Sequence, residues 1–155
     1  MDRIDNAILG FLQNDGRMSN KELAAAVGLA PSSCLERVRR LQEKGVLKGF
    51  RAVVSPQELG IGLQAFVAVR LAKHSRDVVA AFHNHIQTLP EVVAFYHVAG
   101  QDDFIVHVAV KDAEHLRNLT LDSFTTREEV ARINTALVYE YMRQPVMPNY
   151  NVDKD

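Results

Sequence analysis

The hydrophobic pattern of this chain changes period once, and that change limits the folds open to it. Over residues 1–50 apolar positions recur every three to four residues, the period of an α-helix. Beyond residue 62, strand-like runs alternate with two helical segments. The break falls at "SPQELGIG", residues 55–62, which holds one proline and two glycines. A chain of 155 residues written this way divides into a head over 1–54, a linker over 55–62 and a mixed body over 63–155.

The head reads as three helices. The first carries Ile4, Ile8, Leu9 and Leu12 on one face, with Asp2 and Asp5 at its start, where the helix dipole favours negative charge; "NDG" at 14–16 ends it. The second opens with "SNKE", in which Ser19 and Glu22 form a capping box, and stops at Gly28. The third begins at Pro31, a residue tolerated in a first helical turn, and runs to Lys44 before Gly45. A short helix, a tight glycine-containing turn and a longer helix make a helix-turn-helix. In the third helix Leu35, Val38 and Leu41 are expected to pack inward. Ser32, Ser33, Glu36, Arg37, Arg40 and Lys44 gather on the opposite face. Arginines fork to guanine or phosphate, and hydroxyls near a helix start bond phosphate, so this face suits double-stranded DNA. The bland alternative for "ERVRR" is a solvated face with ordinary ion pairs. "VLKGFRAVV" after Gly45 has strand character with a turn signal at Lys48-Gly49 and reads as a small wing. Lys48 and Arg51 there either touch the DNA backbone or are simply exposed hairpin charges.

The body reads β-α-β-β-α-β: strands at 63–71, 92–99, 104–110 and 133–142, helices at 75–89 and 113–124. That order is the ferredoxin-like arrangement on an antiparallel sheet, which makes the whole chain α+β: a winged helix-turn-helix followed by a ferredoxin-like domain. Both faces of these strands are apolar. Leu63, Ala65, Val67, Val69 and Leu71 alternate with Gln64, Phe66, Ala68 and Arg70, and Val92, Ala94, Tyr96 and Val98 alternate with Val93, Phe95, His97 and Ala99. Two helices cover one face of an open sheet, so the other is expected to meet a second subunit, giving a homodimer.

Charge follows the same division. Residues 1–51 hold nine Lys/Arg against six Asp/Glu, and the remainder hold nine against thirteen. A basic head on an acidic body fits nucleic-acid binding by the head alone. No apolar run approaches the ~18 residues of a membrane span. The opening "MDRIDNAILGFL" lacks the basic stretch of a signal peptide, and one cysteine, Cys34, forms no internal disulfide. The expectation is a cytoplasmic protein without membrane contact.

Enzyme chemistry finds little support. Cys34 has no histidine near it in sequence and reads as a packing residue. "HNH" at 83–85 lies inside an amphipathic helix and reads as solvated residues, not a metal site. His97 and His107 lie on neighbouring strands, where they could face each other across the sheet, and read as hydrogen-bonded sheet histidines, not a ligand pair. No P-loop, metal set or Ser-His-Asp arrangement emerges, so neither cofactor nor metal is expected. Asp102 and Asp103, side by side in "HVAGQDDFIVHVAV", read first as a hairpin turn between two strands.

Two stretches carry a family resemblance: "IDNAILGFLQNDGRMSNKELAAAVGLAPSSCLERVRRLQEKGVLKGFRAVVSPQELG" in the head and "VAGQDDFIVHV" in the body. With them the chain resembles the Lrp/AsnC (feast/famine) family of bacterial and archaeal transcription regulators over nearly its whole length. Ala30 departs from the serine often found before the recognition helix. The resemblance implies a non-enzymatic, sequence-specific DNA-binding regulator, dimeric and assembling to an octamer, that responds to a small effector, usually an amino acid. It implies that the turn Gly100, Gln101, Asp102, Asp103, Phe104 forms part of the effector site, with Asp103 facing the ammonium group and residues from 125–134 lining the same cleft. Two rivals stand beside it: an effector-independent DNA-architectural protein, and a small-molecule-binding enzyme on the ferredoxin-like body.

Overall fold

The computed structural model describes residues 1–151. The chain forms two compact units, one built from Met1–Val53 together with the segment from Met142 onward, the other from Val54–Tyr141.

In the first unit, α1 (Arg3–Asn14), α2 (Asn20–Ala26) and α3 (Pro31–Glu43) close around Ile8, Leu12, Leu23, Ala24, Cys34 and Leu41. Each of the first two helices starts in a capping box. Asp2 accepts from the Asp5 N–H at 2.8 Å, and Glu22 accepts from the Ser19 N–H at 2.8 Å. Ala30 precedes α3 and offers no side-chain cap. The inward stripe of α3 differs from the expected one. Cys34 and Leu41 are buried and Val38 half-buried, while Leu35 is 40 % exposed. At about 100° per residue, positions i, i+4 and i+7 fall within about 60° of arc, whereas i, i+3 and i+6 spread over about 120°. The tighter stripe seats better against two helices. Burial also pushes the Cys34 thiol above its ordinary range.

The expected wing is not a hairpin: residues 46–54 contain no strand. A two-residue primed turn at Lys48-Gly49 requires positive φ at its first central residue, Lys48, and among the described residues no side-chain-bearing residue has one. The segment instead folds back irregularly, with Phe50 against Gly16. Farther along the chain, the Met147 N–H donates to Gln13 Oε1 at 2.9 Å, so the last described segment packs on α1.

The second unit is a four-stranded antiparallel sheet in the order β2-β3-β1-β4, with β1 at Leu63–Leu71, β2 at Val92–His97, β3 at Phe104–Val110 and β4 at Val130–Leu137. Two helices, α4 (Arg76–Ile86) and α5 (Ala113–Thr120), join the strands, and α5 runs on into a π-turn at Leu121–Thr125. This is the ferredoxin-like arrangement. Phe82, Ile86, Leu116, Leu119 and Phe124 pack on Ala65, Val67, Val69 and Leu71 of β1 and Phe104, Val106, Val108 and Val110 of β3. Phe82 lies 4.9 Å from Phe104 and 6.4 Å from Phe124, ring centre to centre. Each such buried aromatic contributes about 2–3 kcal/mol of apolar burial.

Three details depart from the sequence pattern. First, β4 spans Val130–Leu137, not 133–142: its pairing begins with Val130 opposite Leu71 and ends with Leu137 opposite Ala65, after which a last hydrogen bond from the Val138 N–H to the Gln64 carbonyl at 2.9 Å brings the chain to the start of β1. Second, a bulge in β2 between Val92 and Ala94 turns Val92 to the helix side. Third, His97 and His107 lie on opposite faces: His97 pairs with Phe104, and His107 with Ala94. His97 stacks on Phe104 at 4.7 Å, while His107 bonds Gln64 at 2.9 Å on the open face. Burial pushes the His107 ring below its ordinary range. The "HNH" histidines are also packed, not solvated. His83 meets the Phe95 ring edge-on at 5.0 Å, and His85 Nε2 lies 2.8 Å from the Ser123 carbonyl.

The face away from the helices carries Phe66, Ala68 and Arg70 of β1, Ile105, His107 and Ala109 of β3, and Tyr96 of β2. No helix among the described residues is long and apolar enough to cross a membrane. Where the chain enters β1, Gly62 passes so close to the Lys111 carbonyl that a Cβ would sit 2.3 Å from its oxygen. Gly62→Ala is therefore expected to destabilise the second unit by about 1–3 kcal/mol, read as a lowered urea midpoint with unchanged slope.

Candidate functional site

Two places gather chemistry. The first is α3. Arg37 Nη1 donates to Asp2 Oδ2 at 2.6 Å and to Asp5 Oδ1 at 2.8 Å, and Arg40 Nη2 spans both Asp5 oxygens at 3.1 and 3.2 Å. Asp5 is buried, its side chain 4 % exposed, so the two guanidinium groups compensate a desolvated carboxylate. The Asp5 N–H, and after it Arg37, hold the Asp2 carboxyl below the usual range, and the hydrogen bonds to Asp2 and Asp5 raise Arg37 in turn. Thus two of the cations expected to face outward instead brace α3 against the first turn of α1. Ser32, Ser33, Glu36, Lys44, Lys48 and Arg51 are exposed. Ser33, Glu36, Arg37 and Arg40 line a shallow polar hollow of about 260 Å³. Arg39, which the facial reading passed over, is exposed and makes no ion pair among the described residues. A stripe centred on Cys34, Val38 and Leu41 would have pointed to it.

The second place is the turn between β2 and β3. Gly100 takes a φ of 147°, a conformation side chains resist. The Val98 N–H donates to the Asp103 carbonyl and the Asp103 N–H to Val69, both at 2.9 Å, tying the turn to β1. The Asp103 carboxylate is largely buried. Its Oδ2 accepts from the Leu71 N–H at 2.8 Å and its Oδ1 lies 2.9 Å from His74 Nδ1. Asp102 points the other way, toward Arg132 at 3.6 Å, and Arg70 donates to the Gln101 carbonyl. Arg70 and Arg132 are register partners across β1 and β4, so two guanidinium groups flank the turn on the open face. Phe104 is fully buried and forms the floor of a cavity of about 410 Å³ whose walls include His74, Val79, His83 and His97. Gly100, Gln101, Asp102 and Asp103 thus share the rim of one turn, with acid and base on both sides of it, next in sequence to Phe104, which floors the neighbouring cavity. His74, Arg70 and Arg132 carry no local motif and come to the turn only through sheet register.

Comparisons with known proteins agree with this division. Residues 1–42 match the family model of the AsnC-type helix-turn-helix domain, and residues 64–146 that of the Lrp/AsnC ligand binding domain. The chain is 44 % identical over 143 residues to the HTH-type transcriptional regulator AldR of Mycolicibacterium smegmatis, covering 92 % of this chain and 84 % of that one. It is 38 % identical over 144 residues to the leucine-responsive regulatory protein of Escherichia coli, covering 93 % and 88 %. Among solved structures, a transcriptional regulator from Neisseria meningitidis in complex with L-Met superposes with a TM-score of 0.86 at 28 % identity over 93 % of both chains.

The Asp103 geometry separates two variants. Asp103→Ala leaves the buried Leu71 N–H unpaired and is expected to cost about 1–3 kcal/mol. Asp103→Asn keeps an acceptor for that N–H and is expected to cost less than half as much. Chemical denaturation of the two variants side by side measures the difference.

Proposed function

The chain belongs to the Lrp/AsnC family of transcriptional regulators, and from that premise we propose that it is a sequence-specific, effector-responsive DNA-binding dimer rather than an enzyme. In this reading α3 enters the major groove of double-stranded DNA. Ser32 and Ser33 at its start meet phosphate, Glu36 and Lys44 follow along the helix, Arg37 and Arg40 hold that helix on Asp2 and Asp5 at the start of α1, and Lys48 and Arg51 lie on the flanking backbone. Two copies joined through the open sheet face present two such helices, which suits a two-fold symmetric site. Further assembly of dimers to an octamer is part of the same proposal.

The effector is an amino acid, held at the Gly100–Phe104 rim. The observation that carries this is the placement of opposite charges around one turn. On the helix side Asp103 suits an ammonium group and the neighbouring Phe104-floored cavity an apolar side chain, while Asp102, Arg70 and Arg132 place charge on the open face, where a second subunit in the proposed dimer would lie. The Neisseria relative was solved with L-Met and the Escherichia coli relative is named leucine-responsive, which supports the same class of ligand. Because the rim spans both faces of the sheet, a ligand there can favour one assembly over another. Only such differential binding changes DNA affinity.

A thermal-shift screen of the proteinogenic amino acids against the full chain tests this reading. At least one is expected to raise Tm, as binding to the folded state requires. Asp103→Asn is expected to weaken that ligand at least tenfold in a calorimetric titration while leaving basal DNA binding unchanged. Unaltered titration by Asp103→Asn would remove this carboxylate from the site.

A further inference from the structure

The cations of α3 are not equivalent, and their differences assign work to each. We propose that Glu36 and Arg39 are the pair on α3 that reads base edges, at neighbouring base pairs presenting cytosine and guanine, and that Arg37 is a positioning residue. The inference deepens the DNA-binding reading above and rests on it.

Arg37 is committed inward. One of its nitrogens is shared by Asp2 and Asp5, and its side chain is 25 % exposed. To reach DNA it would have to leave Asp5 as a buried charge with one partner fewer, which is strongly unfavourable. Arg40 keeps one end on Asp5 and is 47 % exposed, so it reaches no farther than the rim of the helix. Measured from the buried stripe of Cys34, Val38 and Leu41, Arg37 lies only about 70° round the helix. Ser32, Glu36, Arg39 and Glu43 lie about 130° or more away, and all four are exposed; Arg40 lies at nearly the same angle as Arg39 but on the Arg37 side, where Asp5 holds it.

Glu36 and Arg39 are three residues apart, close enough to pair with each other. Among the described residues neither makes an ion pair. Both are free for a partner outside the chain. A carboxylate on a surface that meets phosphates is repelled unless it finds a donor, and in the major groove cytosine N4 supplies one. Arginine forks to guanine O6 and N7. Three residues rise about 4.5 Å along the helix, close to the ~3.4 Å between successive base pairs, so the two side chains fall over adjacent pairs. Recognition helices contact base edges first through their N-terminal residues, which brings in Ser32 and Glu36, then Arg39 just past the middle of α3, ahead of Glu43 at its end.

The test uses the full chain and duplexes that the wild-type protein enriches from a random-sequence library. The enriched half-site is expected to hold a cytosine and a guanine at neighbouring positions. Arg39→Ala should lose about tenfold to a hundredfold in affinity for the enriched duplex, with Tm unmoved and the guanine preference relaxed on reselection. Glu36→Gln should relax the cytosine position alone. Arg37→Ala should lower Tm and weaken enriched and scrambled duplexes alike. Asp5→Asn, which removes no cation, should lower Tm in the same way. Arg39→Ala binding within twofold of wild type would overturn the assignment. So would an Asp5→Asn variant that keeps its Tm and binds DNA more tightly, since Arg37 and Arg40 would then be the readers. A wild-type chain that enriches no sequence and binds no duplex would overturn the DNA-binding reading itself, before any variant is compared.

Discussion

A four-stranded sheet with two apolar faces and helices on one of them is the constraint from which the remaining behaviour follows. In β1, Ala65, Val67, Val69 and Leu71 are closed over by α4 and α5, while, among the described residues, Phe66 and Ala68 on the alternate positions have no helix above them. The hydrophobic effect that builds the first face acts on the second as well. In the proposed dimer a second copy supplies the missing layer. Pairing of bodies brings two heads, and two heads turn a modest single-helix contact into recognition of a symmetric site. The turn proposed to hold the ligand sits where this logic can be modulated, because Arg70 and Arg132 lie on the uncovered face and Asp103 and His74 on the opposite side of the same turn.

The head depends on a smaller device. Asp5, buried under α3, is compensated by Arg37 and Arg40, so the axis of α3 is fixed to the first turn of α1 by charge as well as by the Ile8, Leu23 and Leu41 core. A buried ion pair stabilises little in net terms, but breaking one side of it is costly. Its use here is geometric, since a helix that must enter a groove needs a defined orientation.

Much of this was legible in the sequence. The capping residues Ser19 and Glu22 marked α2, and period-two runs marked β1 and β3 to the residue, because local backbone preference and burial agree there. The body topology followed from element order. What was not legible depended on partners distant in sequence. Asp2 and Asp5 looked like dipole-capping acids and are also the seats of arginines 32 to 35 residues away. Asp103 stood out in the sequence as a turn acid suited to an effector's ammonium group, and its bond to the end of β1 was not visible there. The β2 bulge reversed Val92, and the opposed facings of His97 and His107 depended on pairing that no single strand encodes. The wing failed for a local reason, since Lys48 does not adopt the positive φ the turn requires.

Sedimentation velocity on wild type and on Ala68→Glu tests the central claim most directly, because Ala68 lies mid-strand on the uncovered face, opposite Ile105 and Asn134. The wild-type chain is expected to sediment as a dimer or a multiple of dimers, and the variant as a monomer with an unchanged circular dichroism spectrum. A wild-type monomer at tens of micromolar, or a variant that assembles as wild type does, would contradict that claim.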